Sequence, residues 1–154
     1  MIKVPAIATT VDQNYAALHL TVAREQIQQA MGPAIREVYS AVAAQGLKPA
    51  GPWFTHHFHR PNTTFDFEVC VPVGMRIEDA GSVAGKIWPA MTLARTEYQG
   101  GYEGLGAAWG EFAAWIEQQG LTPAPDLWEV YLVGPESSAD PADWRTELNW
   151  QTLN

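Results

Sequence analysis

The sequence predicts an α+β fold made of two copies of a strand-helix-strand-strand module. Three observations lead there. Segments that alternate in polarity, as half-buried strands do, flank two stretches in which apolar residues recur every three or four positions, as on the buried stripe of a helix. Each helical stretch ends in Gln-Gly-Leu and then proline: Gln45-Gly46-Leu47 with Pro49, and Gln119-Gly120-Leu121 with Pro123. Finally, Gly32, Ala34, Glu37, Gln45, Gly46, Leu47, Pro49 and Ala50 meet identical residues at Gly106, Ala108, Glu111, Gln119, Gly120, Leu121, Pro123 and Ala124, at a constant offset of 74. Two copies at this spacing point to a pseudo-twofold domain and not to a solenoid.

In chain order, residues 15–22 alternate as a first strand. A helix follows over about 26–45, where Ile35, Val38, Tyr39 and Val42 form the apolar stripe. Gly46 stands where a left-handed cap is wanted, and Pro49 and Pro52 keep the helix from resuming. Strands are expected at 53–59 and 65–73, joined by the turn-forming residues 60–64. The Gly, Ser and Ala rich stretch 79–85 reads as a connection and hinge between a first module, about 1–78, and a second, about 86–154, within one domain of 154 residues. The second module repeats the order: a strand at 91–98, a helix at about 102–119 carrying Leu105, Trp109, Phe112 and Ile116, then two strands, 125–132 and about 144–153, around a turn-rich segment 134–142.

Strand 125–132 is the most informative. Period-two alternation places Trp128, Val130 and Leu132 on one face, which reads as core, and Glu129, Tyr131 and Val133 on the other. That second face sets a carboxylate beside a phenol, which is costly to bury unless the charge is paired or the pKa rises. The repeat pairs Thr55 with Glu129 and His57 with Tyr131, so a pseudo-twofold axis would turn these four side chains toward a shared space. Tyr102 follows Gly100-Gly101, where the chain can approach a ligand closely. Trp109 and Trp115 fall on different helix faces, and Trp109, on the apolar stripe, reads as core. His57 and His59 would project from one strand face beside His56, but no third ligand accompanies them and no metal site is expected. Glu68 and Glu147 correspond at an offset of 79, which suggests matched roles in the sheet, paired with Arg76, Arg95 or Arg145, with Glu68 also a candidate second acid in the cleft.

Composition bounds the function. Seven Trp, five Tyr and five Phe exceed what a core of this size requires, and an aromatic-lined cavity would use the surplus. A formal net charge of -8 repels nucleic acid phosphates and anionic membranes and favours cations and neutral molecules as partners. The single cysteine, Cys70, excludes an intramolecular disulfide and a Cys-based zinc site, and its strand-like setting reads as buried and unreactive. The single cysteine gives the expectation of a cytoplasmic chain, the first residues lack the longer apolar region of a secretory signal, and no run reaches about 18 apolar residues, so no membrane span is expected.

With Gln99-Gly100-Gly101-Tyr102-Glu103, the Gln119-Gly120-Leu121 cap, Trp128-Glu129-Val130-Tyr131 and Thr146-Glu147-Leu148 in place, the chain resembles the GyrI-like small-molecule-binding domain. This domain occurs alone, as in gyrase inhibitory protein, and as the effector-binding half of multidrug-responsive transcription activators. The resemblance implies an antiparallel sheet with helices on one face and a ligand cleft between modules on the other. It implies a pocket acid at Glu129; Tyr131, Tyr102, His57, Thr55, Trp128 and Glu68 are the other candidate ligand-binding residues. No cofactor is expected. The chain starts directly in this domain, with no helix-turn-helix ahead of it, so transcriptional activation by this chain alone is not expected, and the net charge of -8 without a basic stripe gives no expectation of direct DNA binding.

Three functions stay open. The first is a stand-alone binder of hydrophobic, cationic aromatic molecules. The second, implied by relatives of this fold, is hydrolysis of cyclopropane-bearing electrophiles, with Glu129 as general base and Tyr131 or Tyr102 donating to the developing oxyanion. The third is a protein-binding modulator, such as a gyrase inhibitor, acting through its acidic surface or as a homodimer.

Overall fold

The computed structural model describes residues 2–153. Its elements are β1 (Ala6–Thr9), β2 (Gln13–Ala23), α1 (Ile27–Ala44), β3 (Phe54–His57), β4 (Thr64–Pro72), β5 (Val83–Trp88), β6 (Thr92–Gln99), α2 (Leu105–Gln118), β7 (Pro123–Val133) and β8 (Arg145–Thr152), and single 3-10 turns precede α1, α2 and β8. They form two compact units, one of Val11–Ala90 and one of Met1–Thr10 with Met91–Asn154.

In the first unit the strands run in the order β3-β4-β2-β5, with each neighbouring pair antiparallel. Of the stripe expected on α1, Val38 and Val42 are buried, joined by Ala34, and pack with Ala16 and Leu18 of β2 and with Phe67, Val69 and Val71 of β4, while Ile35 and Tyr39 are only partly buried against this core. Full burial of each valine, leucine or phenylalanine among them contributes about 1.5–3 kcal/mol. Alternation then turns Tyr15, Ala17, His19, Glu68 and Cys70 to the face away from α1.

The second unit has the order β1-β6-β8-β7, again antiparallel at every pairing. From α2, Ala108, Trp109, Phe112 and Ile116 pack on Ala94, Tyr98, Leu127, Leu148 and Trp150. In each unit the first strand, the helix and the next two strands follow the predicted order. Both helices also end as predicted: Gly46 and Gly120 have φ of 73° and 72°. In both caps the glycine N–H and the N–H of the following leucine bond back to the last turn, Leu47 to Val42 O and Leu121 to Ile116 O at 3.2 Å.

Two expectations are corrected. The stretch read as a hinge contributes β5, which pairs with β2 from Gln13–Trp88 to Leu18–Val83. Gly85 is in this strand because a Cβ there would lie 1.8 Å from Ile77 O, so its glycine marks a close backbone approach and not a flexible joint. The module boundary also moves. The first ten residues, assigned to module one, belong with the second unit through β1, which pairs with β6 from Ala6–Arg95 to Thr9–Thr92. No helix among the described residues is long and apolar enough to cross a membrane.

Candidate ligand-binding site

The site in the second unit is built on β7. Leu127 lies opposite Trp150 of β8 and packs under α2, and period two then brings Glu129, opposite Leu148, and Tyr131 to the same side. This reverses the expectation for the two faces. The face that carries Glu129 is the one that α2 covers, and Trp128, buried too, points the other way and lies outside the α2 cluster.

Burying a carboxylate there requires donors, and two neutral ones supply them. The Trp109 indole N–H donates to Glu129 Oε2 at 2.7 Å, and the Tyr131 hydroxyl donates to Oε1 at 2.7 Å. Glu129 is 9% exposed. Among the described residues no Lys, Arg or His forms an ion pair with it; the acid is satisfied for hydrogen bonds and uncompensated for charge.

Two further rings border the acid. The Tyr102 ring stands edge-on to Tyr131 with centroids 5.8 Å apart, and it lies against Trp144 at 4.8 Å. The turn that delivers Tyr102 depends on glycine: a Cβ at Gly104 would come within 2.1 Å of the Tyr98 hydroxyl, which donates to Gly101 O at 2.7 Å. Trp144 is fixed by its indole N–H, which donates to Ser138 O at 2.9 Å within the turn-rich segment after β7. Burial, then the charges of Glu136 and Glu129, push the Tyr102 phenol up to about 12. Tyr102 is therefore a neutral donor and ring surface throughout the neutral range.

Glu129, Tyr131 and Tyr102 thus lie together. Trp109 was read as core; it is core, and it is also a donor to the acid. That role had no sequence signal, because the indole reaches β7 from 20 residues away. Trp144 was placed at the start of the last strand. It sits instead on the longer turn of the second half, which the five-residue excess in the repeat could have flagged.

In the first unit, Thr55 and His57 lie on the α1 side of β3. Thr55 Oγ1 is 3.1 Å from His57 Nε2, and the His57 ring stacks on Phe67 with centroids 5.1 Å apart. His59 does not share that face: β3 ends at His57, and the His59 Nε2 lies 4.0 Å from Asp66. Glu68 is on the opposite face from His57. Its partners are Tyr15, His56 and Lys86, not the arginines expected; Glu147 does lie 3.4 Å from Arg95. Among the described residues no three His, Cys, Asp or Glu side chains are arranged to hold a metal ion. A shallow depression lined by Ile2, Lys3, Glu97 and Gln99 does not reach Glu129, and its charges are already paired as Lys3–Glu97 and Arg145–Glu97.

The sequence profile of the GyrI-like small molecule binding domain matches residues 5–151. The chain belongs to the GyrI-like family. This GyrI-like domain superposes on the C-terminal domain of EcmrR with a TM-score of 0.86 at 22% identity, covering 97% of each chain. It spans 57% of the length of the EcmrR chain seen in a complex with DNA. It also resembles SAV2435 bound to tetraphenylphosphonium, with a TM-score of 0.66 at 13% identity, covering 97% of this chain and 94% of that one. A hydrolase from Listeria innocua has a TM-score of 0.64 at 12% identity, covering 96% and 91%. No curated protein matches the sequence. At these identities the structural likenesses show the fold, and the family match shows a small-molecule binding domain.

Proposed function

We propose that this GyrI-like domain captures hydrophobic organic cations that carry aromatic rings, with Glu129 as the anion that selects them. The observation that carries the proposal is the buried Glu129 carboxylate, held by an indole and a phenol, bordered by the Tyr102 ring and lacking a cationic partner among the described residues. A charge kept in such a setting is worth most to a ligand that brings the opposite charge without needing hydrogen bonds, because both carboxylate oxygens already accept one. The tyrosine and tryptophan faces add cation–π attraction and apolar area. The net charge of -8 raises the local concentration of cations around the molecule. The tetraphenylphosphonium bound to SAV2435, a cation without N–H groups, has the chemistry this site favours.

Calorimetric titration of tetraphenylphosphonium and of neutral triphenylphosphine oxide into wild type and Glu129→Gln tests the proposal. Glutamine keeps the shape and removes the charge. The phosphonium should lose about ten- to hundred-fold in affinity, corresponding to roughly 1.5–3 kcal/mol, while the neutral oxide changes much less. Equal losses for the two would mean that Glu129 shapes the site without supplying its charge.

A further inference from the structure

The first unit holds a second buried carboxylate, on the sheet face turned away from α1. Glu68, 1% exposed, accepts on Oε1 from the Tyr15 hydroxyl at 3.0 Å and from His56 Nδ1 at 3.0 Å, and on Oε2 from the Lys86 ammonium. Strand register explains the convergence. His56 stands directly across from Glu68 in the β3–β4 pair, and Lys86 stands across from Tyr15 in the β2–β5 pair. Aromatic rings border the cluster: Phe58 lies edge-on to His56 at 4.9 Å, with the ammonium 5.9 Å from its centroid, and Phe54 lies edge-on to Tyr15 at 5.2 Å.

Glu68 and Glu129 share a tyrosine donor and differ in the rest. Each is a buried acid that takes a tyrosine hydroxyl beside aromatic rings. Where Glu129 takes a neutral indole, Glu68 takes the His56 imidazole and an ammonium, and that ammonium belongs to a side chain 43% exposed to water. Lys86 reaches in from β5, the last strand in the order of this unit, on a flexible four-carbon stem. The contact is therefore a recognition event already enacted by the chain itself: an organic ammonium held by a buried carboxylate over an aromatic ring.

We propose that this cluster is a second cation site, selective for primary ammonium and amidinium groups, which Lys86 keeps closed from within. The selectivity follows from the donor count. Glu68 Oε2 is satisfied by an N–H that comes with the cation, so an incoming ligand must bring an N–H of its own; a quaternary ammonium would leave a buried oxygen without its donor. At Glu129 both oxygens are already served, and no such requirement exists. Competition with Lys86 lowers the apparent affinity by the fraction of time the site is open, so the wild-type protein should bind weakly and a variant without the ammonium tightly.

Benzamidine and phenyltrimethylammonium are the probes, a pair of aryl cations with and without N–H donors. All titrations use the Glu129→Gln background, which removes the charge of the other site. Lys86→Ala should bind benzamidine at least about tenfold more tightly than the Lys86 protein, and adding Glu68→Gln should abolish the gain. Phenyltrimethylammonium should gain nothing. Without any change at position 86, saturating benzamidine should speed acylation of Lys86, read by peptide mapping, against Lys3 and Lys48 as internal standards. A folded Lys86→Ala protein with no gain, an equal gain for both probes, or an unchanged Lys86 labelling rate would each overturn the proposal. The labelling measurement decides the matter even where Lys86→Ala does not fold.

Discussion

The indole N–H of Trp109 on α2 donates a 2.7 Å hydrogen bond to Glu129 Oε2 on β7, so the helix is tied to the sheet through the acid of the proposed site. The same tryptophan packs against Phe112 and Trp150. Core packing and site geometry therefore share one side chain. Trp109→Phe separates them, since it keeps an aromatic ring in the core and leaves the carboxylate with a single donor. A loss of about 1–2 kcal/mol is expected, seen as a Tm lowered by about 2–4 °C per kcal/mol in a domain of this size. Calorimetric unfolding checks it, and an unchanged Tm would show that the indole N–H contributes nothing.

Acid should act on the first unit through Glu68. Burial alone would raise its pKa, but the hydrogen bonds from His56 and Lys86 and the Lys86 charge outweigh burial and hold the carboxyl below its usual range. A folded-state pKa below the unfolded one gives stability that is fully present above the unfolded value, about 4.3, and lost as pH falls through the folded value. Glu68→Gln should lower stability at neutral pH by about 1–3 kcal/mol, less than for a fully buried pair because Lys86 can return to water. The difference from wild type should then shrink below about pH 4. Tm curves for the two proteins that stay parallel from neutral pH to acid would contradict this.

Two glycine-to-alanine changes should have opposite signs. At Gly85 the new methyl would meet the Ile77 carbonyl, with the oxygen at 1.8 Å and the carbon at 2.9 Å, and backbone cannot step aside as a side-chain tip can. Gly85→Ala should cost about 1–3 kcal/mol or more. At Gly106, inside α2, nothing lies within 4 Å of the added Cβ. Gly106→Ala should stabilise by about 0.5–1 kcal/mol, because alanine restricts the unfolded chain and favours helix. Denaturant midpoints for the pair check both, and equal effects would remove the distinction.

Much of this was legible in the residues. The helices, their glycine caps and the pairing of Glu129 with Tyr131 on one side of a strand depend on interactions between residues a few positions apart, and such interactions are written into local spacing. Two strands escaped notice. β5 carries Gly81 and Gly85 around its start, so its composition suggested a hinge, although Gly85 serves a tight packing contact that no local pattern displays. β1 is four residues long and finds its only named partner strand, β6, more than eighty residues away.

The sequence by itself determined both helices, the strand before each and the two strands after it, and the fact that Glu129 shares a face with Tyr131, because each follows from backbone periodicity. It gave the core to the Trp128 face of β7, the wrong one for α2, since alternation defines two faces without saying which of them a helix covers. Packing of Leu127 and Leu148 under α2 made that choice and brought the Trp109 indole onto the acid. Strand order decided the rest: Lys86 meets Glu68 because β5 pairs with β2, which pairs with β4. Whether a buried carboxylate faces an indole or an ammonium depends on which distant strand or helix becomes its neighbour, and only the tertiary structure fixes that.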